Sequence, residues 1–388
     1  MVKIGIVAGE SSGDILGSRL MHALKQSLPE VEFHGIGGEH MQQEGLTALE
    51  EMEHLVVNGF IGPLLRLPSY LKLLDRLALQ MQEMDVFVGV DFNVFNLALE
   101  KRLKKLGIPT VHYVSPSVYA WRKGRAWKME KSTDVLLTLF PFEPKFYEET
   151  SVRAEFVGHP LADEIQPVQN LADRRKTARA KLGLDNQAVV VALLPGSRHS
   201  EIQFHVRLFL ESCQRFQSLA ESRKRYQFVI PCVREKSVNF ILREMQHFPN
   251  VEVHITEADS KLTLSAADVA LVKSGTSTLE SLLLRVPIVV TYRIGWLTFA
   301  IVRTLLHTRW VALPNIVANR RVVPEYLQSQ ATAETLARTM LSQLQTAQNN
   351  DVLQKEYAEI HESLRHSASA RSAEVIVELL NRRGQTQC

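Results

Sequence analysis

Apolar residues gather along this chain into short continuous runs, separated by longer stretches in which they recur at helical spacing. The runs fall at 2–8, 32–36, 85–90, 109–114, 134–139 and 154–157, then at 188–194, 226–231, 251–255, 268–272 and 287–291. Between them, 15–28, 70–83, 94–106, 202–218 and 276–285 repeat apolar positions every third or fourth residue, as a helix with one buried face requires. Strands that are apolar throughout suit a sheet buried on both faces, and their alternation with helices predicts parallel sheets covered on both sides. The pattern therefore predicts an α/β fold of two doubly wound, Rossmann-like domains. The break is placed at Gly158-His159-Pro160 and the polar stretch 166–178, read as a hinge, which gives domains 1–164 and 165–365. The last helix, 368–383, has no strand after it and is a candidate to pack back on the first domain. Ligand loops at the carboxyl ends of two such sheets are expected to face one another across a cleft, with one substrate on each wall.

Composition narrows the class. A chain of 388 residues exceeds one compact core, and 45% apolar with 22% charged residues is ordinary for a globular protein. A net charge of +3 falls short of the basic stripes of a general nucleic-acid binder, so no nucleic-acid partner is expected. Cys213, Cys232 and Cys388 have neither metal-ligand spacing nor a disulfide framework, which fits a reducing cytosol. The opening run Val2–Ala8 is a strand without a basic leader, so no secretion signal is read. No uncharged stretch reaches the ~20 residues of a membrane-spanning helix. The expectation is a cytoplasmic protein able to touch a membrane.

Candidate chemistry concentrates where strands run into helices. Leu194-Pro195-Gly196-Ser197-Arg198 follows a buried run and brings backbone N–H groups and a guanidinium to one point, which suits a diphosphate. Lys273 runs into Ser274-Gly275-Thr276 in the same manner, with Glu280 one helical turn on, placed to accept from ribose hydroxyls. Two anion cradles in one half-chain suggest a nucleotide-sugar site. The plainer alternative is that Gly and Ser turn the chain while Arg198 pairs with Glu201. A dinucleotide site at the first turn is disfavoured, because Gly9-Glu10-Ser11-Ser12-Gly13-Asp14 lacks the third glycine and carries a carboxylate. Ser11, Ser12 and Gly13 at that helix start are candidates for a phosphate or sugar hydroxyls, while Glu10 and Asp14 read equally as site residues or helix caps. Tyr119, Trp121 and Arg122, followed by Lys123, Arg125 and Lys128, fit an anionic amphiphile or a solvated helix face. His159 reads as a cleft residue or a satisfied hinge histidine. Phe60, Leu64, Leu65 and Leu71, interrupted by Arg66, Lys72 and Arg76, read as a surface lying on an anionic bilayer or as a core helix. The segment 296–306 has the same character.

Several motifs together resemble the lipid-A-disaccharide synthase family. They are Ala8-Gly9-Glu10-Ser11-Ser12-Gly13-Asp14, Gly35-Ile36-Gly37-Gly38, the stretch from His112 to Arg122, Phe156-Val157-Gly158-His159-Pro160, Leu194–Arg198, Ser274-Gly275-Thr276 and Leu313-Pro314-Asn315. The resemblance spans nearly the whole chain. It implies an inverting glycosyltransferase of the two-domain GT-B fold, using no metal and no cofactor. Such an enzyme joins UDP-2,3-diacylglucosamine to 2,3-diacylglucosamine 1-phosphate, releasing UDP, at the inner membrane surface. It implies that Gly196, Ser197, Arg198, Lys273, Ser274, Gly275, Thr276, Glu280 and Asn315 hold the donor, with Arg198 also catalytic. Ser11, Ser12, Gly13, Asn96, Tyr119, Trp121 and Arg122 would then hold the acceptor, and a homodimer made partly by the C-terminal segment is implied.

The chain departs from the family at two places. The pattern Asp-x-Pro-Asp-Phe-Asn, whose second Asp is the suspected general base, reads here Asp91-Phe92-Asn93-Val94-Phe95-Asn96. Val94 cannot take a proton, so Asp91 or Glu10 becomes the candidate base. The motif around Met-Gly-Phe reads Val57-Asn58-Gly59-Phe60 and bears on acceptor choice. Two other readings follow: a catalytically impaired UDP-sugar-binding paralogue, or an enzyme like a UDP-N-acetylglucosamine epimerase.

Overall fold

The structure is a computed structural model and describes residues 1–52, 55, 67–116, 124–221, 224–295, 308–347 and 351–386. The chain divides into two compact units, one of Met1–Glu164 with Ser363–Cys388 and one of Ile165–Glu362. Each is a wholly parallel sheet with helices packed on it.

The first unit has seven strands: β1 (Val2–Ala8), β2 (Val31–Ile36), β3 (Leu46–Ala48), β4 (Val86–Val90), β5 (Thr110–Tyr113), β6 (Val135–Thr138) and β7 (Arg153–Phe156). Their order is β3-β2-β1-β4-β5-β6-β7. β4 is continuously apolar and β1 is apolar after Lys3 because both faces are covered, and Ile4, Ile6, Val86 and Val88 are fully buried. Helices α1 (Ser11–Ser27), α2 (Glu39–Gln43), α3 (Leu67–Gln80) and α4 (Asn93–Lys105) follow successive strands. A short helix, α5 (Gly124–Met129), precedes β6, and α6 (Pro160–Glu164) closes this stretch of the unit.

The second unit has six strands: β8 (Val189–Leu194), β9 (Tyr226–Pro231), β10 (Val253–Thr256), β11 (Val269–Lys273), β12 (Ile288–Tyr292) and β13 (Glu325–Leu327). They run in the order β10-β9-β8-β11-β12-β13. Its helices include α7 (Leu171–Leu182), α8 (His199–Leu219), α9 (Glu235–Met245), α10 (Ser260–Ala266), α11 (Thr276–Leu283), α12 (Leu313–Ala318), α13 (Ala333–Ala347) and α14 (Asp351–Leu364), the last reaching the unit's edge. The core gathers Phe209, Phe216 and Phe228 between α8 and the sheet.

Two features differ from the pattern expected of the sequence. The polar stretch 166–178, expected as a hinge, largely belongs to α7. Asn170 caps that helix by accepting from the Ala172 and Asp173 N–H groups, and Gly183 ends it at φ 66°. Arg179 ties it to the sheet, donating to the Ala266 carbonyl at 3.0 Å and the Asp268 carboxylate at 2.6 Å. With only Ala178 and Arg179 buried, α7 leaves no apolar stripe to read. The strands β3 and β13 are three residues each, too short for a pattern. The last helix, α15 (Ala368–Thr386), packs on α1 in the first unit, and Asp163 caps it by accepting from the Ser367 and Ala368 N–H groups.

Both sheets reverse strand order beside their first strand. In one the reversal lies between β1 and β4, where Ala8 pairs with Val90; in the other it lies between β8 and β11, where Leu194 pairs with Val272. Neighbouring loops diverge at such a switch point and leave a crevice beyond the carboxyl ends of the strands.

Candidate active site

At the β8/β11 switch point a cavity of about 660 Å3 opens in the second unit. Its walls include Gly196, Ser197, Arg198, Lys273, Gly275 and Thr276, so six of the expected donor residues come together. Glu201 organises this wall. Its Oε2 accepts the Ser197 N–H at 3.1 Å and the Arg198 N–H at 3.4 Å, and its Oε1 takes the Lys273 ammonium at 2.9 Å. Burial works against ionisation of this carboxyl, but Lys273 and the two N–H groups outweigh it and hold it below the usual carboxylate range. Gly196, at φ 128°, is required here, because a Cβ would lie 2.6 Å from the Glu201 side chain.

Two expectations are corrected. The backbone N–H groups of the Ser197–Arg198 turn point at an internal carboxylate rather than standing open for a ligand. Glu201 forms its side-chain ion pair with Lys273, not with Arg198. The Arg198 guanidinium is exposed and, among the described residues, makes no hydrogen bond or ion pair.

Other expected donor residues lie behind the wall. Ser274 turns its hydroxyl to the Val311 carbonyl at 2.7 Å and does not line the cavity. Asn315 is fully buried; its Oδ1 accepts the Val322 and Val323 N–H groups, and its amide donates to the Val323 carbonyl and the Glu325 carboxylate. It locks the turn into β13 and has no polar atom left for a ligand. Glu280 accepts the Ser260 hydroxyl at 2.6 Å, and Ser260 is the residue that reaches the cavity. The sequence reading missed Arg234, Glu257, Asp259 and Ser277, which also line the cavity. The first three follow the carboxyl ends of β9 and β10, a placement that the strand assignment alone could have flagged.

At the β1/β4 switch point of the first unit, Glu10 is the N-cap of α1 without a side-chain cap bond, and Ser11 and Ser12 are exposed on its first turn. Gly13 is buried, with Ala8 Cβ and the Val90 carbonyl 3.3 and 3.4 Å from where its Cβ would sit. Asp14 is 3% exposed and caps α2 instead of its own helix, accepting from the Gly38, His40 and Met41 N–H groups at 2.8–3.1 Å. Asn96, expected to meet the acceptor, is fully buried. Its amide donates to the carbonyls of Val7, Val90 and Asp91, joining the ends of β1 and β4. Asp91 is half-buried and Val94 is 84% exposed. His159 is 8% exposed and packs on Phe140 at 5.4 Å; burial lowers its pKa to about 4. Tyr119, Trp121, Arg122, Phe60, Leu64, Leu65 and the segment 296–306 lie outside the described residues. Leu71, on α3, is 41% exposed.

A family profile described as lipid-A-disaccharide synthetase matches residues 4–379. The lipid-A-disaccharide synthase of Pseudomonas aeruginosa UCBPP-PA14 is 43% identical over 98% of this chain and 99% of its own length. That of Pseudomonas fluorescens Pf0-1 is 44% identical over 100% of this chain and 99% of its own. Among solved structures, the UDP-GlcNAc 2-epimerase of Neisseria meningitidis bound to UDP-GlcNAc superposes with a TM-score of 0.62 at 12% identity, covering 98% of this chain and 100% of that one. MurG of Acinetobacter baumannii gives 0.60 at 13% identity, over 97% and 100%. At these identities the structural likeness shows the fold alone: two Rossmann-like units of the GT-B kind.

Proposed function

This chain belongs to the lipid-A-disaccharide synthetase family, glycosyltransferases of lipid A biosynthesis, and from that premise we propose that the β8/β11 cavity holds the diphosphate of UDP-2,3-diacylglucosamine while the β1/β4 switch point receives 2,3-diacylglucosamine 1-phosphate. The observation that carries the donor assignment is Arg198: an exposed guanidinium at the rim of a roomy cavity, with its neighbouring cation already paired to Glu201. A guanidinium matches two phosphate oxygens at once and stabilises the charge that grows on them as the sugar leaves. The Gly275–Ser277 backbone at the start of α11 adds N–H groups and the positive end of a helix.

In the reaction the acceptor's 6-hydroxyl oxygen bonds to C1 of the donor sugar from the face opposite the diphosphate. The C1–O bond breaks, and UDP leaves with the electron pair. The hydroxyl proton passes to the Asp91 carboxylate, which is half-buried beyond the end of β4 and next to the α1 turn. Ser11 and Ser12 at the start of α1 hold the acceptor phosphate. Leu71 and Leu79, exposed on α3 beside Lys72 and Arg76, meet acyl chains and an anionic inner-membrane surface. No helix among the described residues is long and apolar enough to cross a membrane.

The test is UDP release by purified protein from the two acylated substrates, together with calorimetry of UDP binding to chelator-treated protein. Turnover that needs both substrates, and UDP binding that survives the chelator, are expected. Absence of UDP binding by folded protein overturns the donor assignment.

A further inference from the structure

Beneath Asp91 lies a chain of polar side chains that the fold itself does not require. The Asp91 Oδ1 accepts the Asn93 amide at 3.2 Å; the Asn93 Oδ1 lies 3.0 Å from His112 Nε2; His112 Nδ1 lies 2.6 Å from Glu100 Oε1; and Glu100 Oε2 accepts the Thr133 hydroxyl at 2.7 Å. His112, Glu100 and Thr133 are fully buried. Gly89 makes room for them, since a Cβ there would lie 2.3 Å from the Glu100 carboxylate. Two buried ionisable groups in a parallel-sheet layer are costly unless each polar atom is matched, and apolar residues would fill the space at lower cost.

The chain has a direction. The Asn93 amide nitrogen faces Asp91, so its oxygen faces the ring and the ring donates from Nε2. On the other side the ring Nδ1 and the Glu100 Oε1 share a hydrogen bond of 2.6 Å. The Thr133 hydroxyl, the ring Nε2–H and the Asn93 amide all point toward Asp91. The backbone agrees. Asp91 and Phe92 have φ of 49° and 46°, and Val114, one residue beyond the neighbouring β5, has φ 84°. Such conformations cost about 1–3 kcal/mol each and persist only where the surroundings over-determine them. Asn96 fixes the Asp91 main chain through its carbonyl at 2.8 Å, and Asn93 fixes its side chain.

We propose that Asn93, backed by the buried His112–Glu100 pair, is a positioning residue that aims the Asp91 carboxylate at the acceptor hydroxyl, in a chain whose Val94 offers no proton acceptor. This rests on Asp91 being the base. An amide donor on one carboxylate oxygen leaves the other oxygen directed at the incoming proton.

The experiment measures steady-state kinetics with both acylated substrates on the full chain for Asp91→Asn, Asn93→Ala, Glu100→Gln and the Asp91→Asn/Asn93→Ala pair, with melting temperature and UDP calorimetry confirming folded protein. Asn93→Ala is expected to lower kcat by about 10²-fold, the scale of a small misplacement of a reacting group, with the donor KM unchanged. The pair should be no slower than Asp91→Asn alone, since there is nothing left to aim. Asn93 is half-buried at a helix start, so its loss leaves the fold intact even if Glu100→Gln does not. Wild-type kcat in Asn93→Ala, or losses that multiply in the pair, overturns the positioning role while leaving Asp91 as base. Wild-type kcat in Asp91→Asn instead overturns the base assignment itself.

Discussion

Lys273 and Glu201, 72 positions apart in the sequence, form an ion pair of 2.9 Å at the edge where β11 meets the start of α8. A carboxylate thus sits where two loops would otherwise offer an ammonium and two N–H groups to an anion. Glutamine at 201 keeps an oxygen for the Ser197 N–H and removes the competing charge. Glu201→Gln is therefore expected to tighten UDP binding by about 2–5-fold at low salt, the worth of a partly screened charge, and the gain should shrink as salt is added. Calorimetry at two ionic strengths checks it, and weaker binding at low salt would contradict it.

Arg198→Ala removes the exposed guanidinium from the rim. UDP release should fall by about 10²–10³-fold in kcat, as for loss of one preorganised transition-state donor. Because the side chain is exposed, the melting temperature should not change. Arg198→Lys, which keeps the charge but not the fork, should recover only part of the rate.

Asn315→Ala acts on a different quantity. The side chain closes the turn into β13 through both its oxygen and its nitrogen, and removing it strands the Val322 and Val323 N–H groups. A loss of about 2–3 kcal/mol in unfolding free energy is expected, with the donor KM unchanged below the melting transition. Chemical denaturation and kinetics at one temperature separate the two effects, and a raised KM without destabilisation would return Asn315 to the binding site.

Val94→Asp tests the proton route from outside. Its side chain projects into solvent from the first turn of α4, where a carboxylate favours the helix. With Asp91 as base, kcat should stay within about twofold of wild type, a change too small for a base newly supplied. A rise of one or more orders of magnitude would show that position 94 is where the proton must go.

His159 gives the first unit an acid-sensitive element. Its ring is buried, its Nδ1 accepts the Leu161 N–H at 3.2 Å, and its pKa is lowered to about 4. The unfolded chain takes up a proton near pH 6.5, whereas the folded ring does not until about pH 4. Stability from this residue is complete above pH 6.5 and declines as pH falls toward 4, by roughly 3 kcal/mol in total. His159→Gln should flatten that slope in urea titrations between those values; an unchanged slope would assign the acid sensitivity elsewhere.

Strands buried on both faces are legible because nearly every position along them must be apolar, with lysines only at the ends of β1 and β11, which is why β1, β4, β8 and β11 are evident in the sequence. Helix α7 is not, since it is held by Arg179 and its caps rather than by a stripe. In the site, Pro-Gly-Ser-Arg after a buried run marks the right loop, but spacing does not tell which way a side chain turns. Ser274 and Asn315 therefore fall behind the cavity although their neighbours line it. The His112–Glu100 contact depends on α4 crossing back over β5, a tertiary relationship that no local period encodes.

The helix Ala368–Thr386 belongs to the same unit as β1, with the whole second unit between them in the chain. On a translating ribosome the stretch 165–362 can complete its sheet while the earlier unit still lacks the helix that covers α1. The half that is made first is thus finished last, and for that interval its uncovered face is open to chaperones and to neighbouring nascent chains.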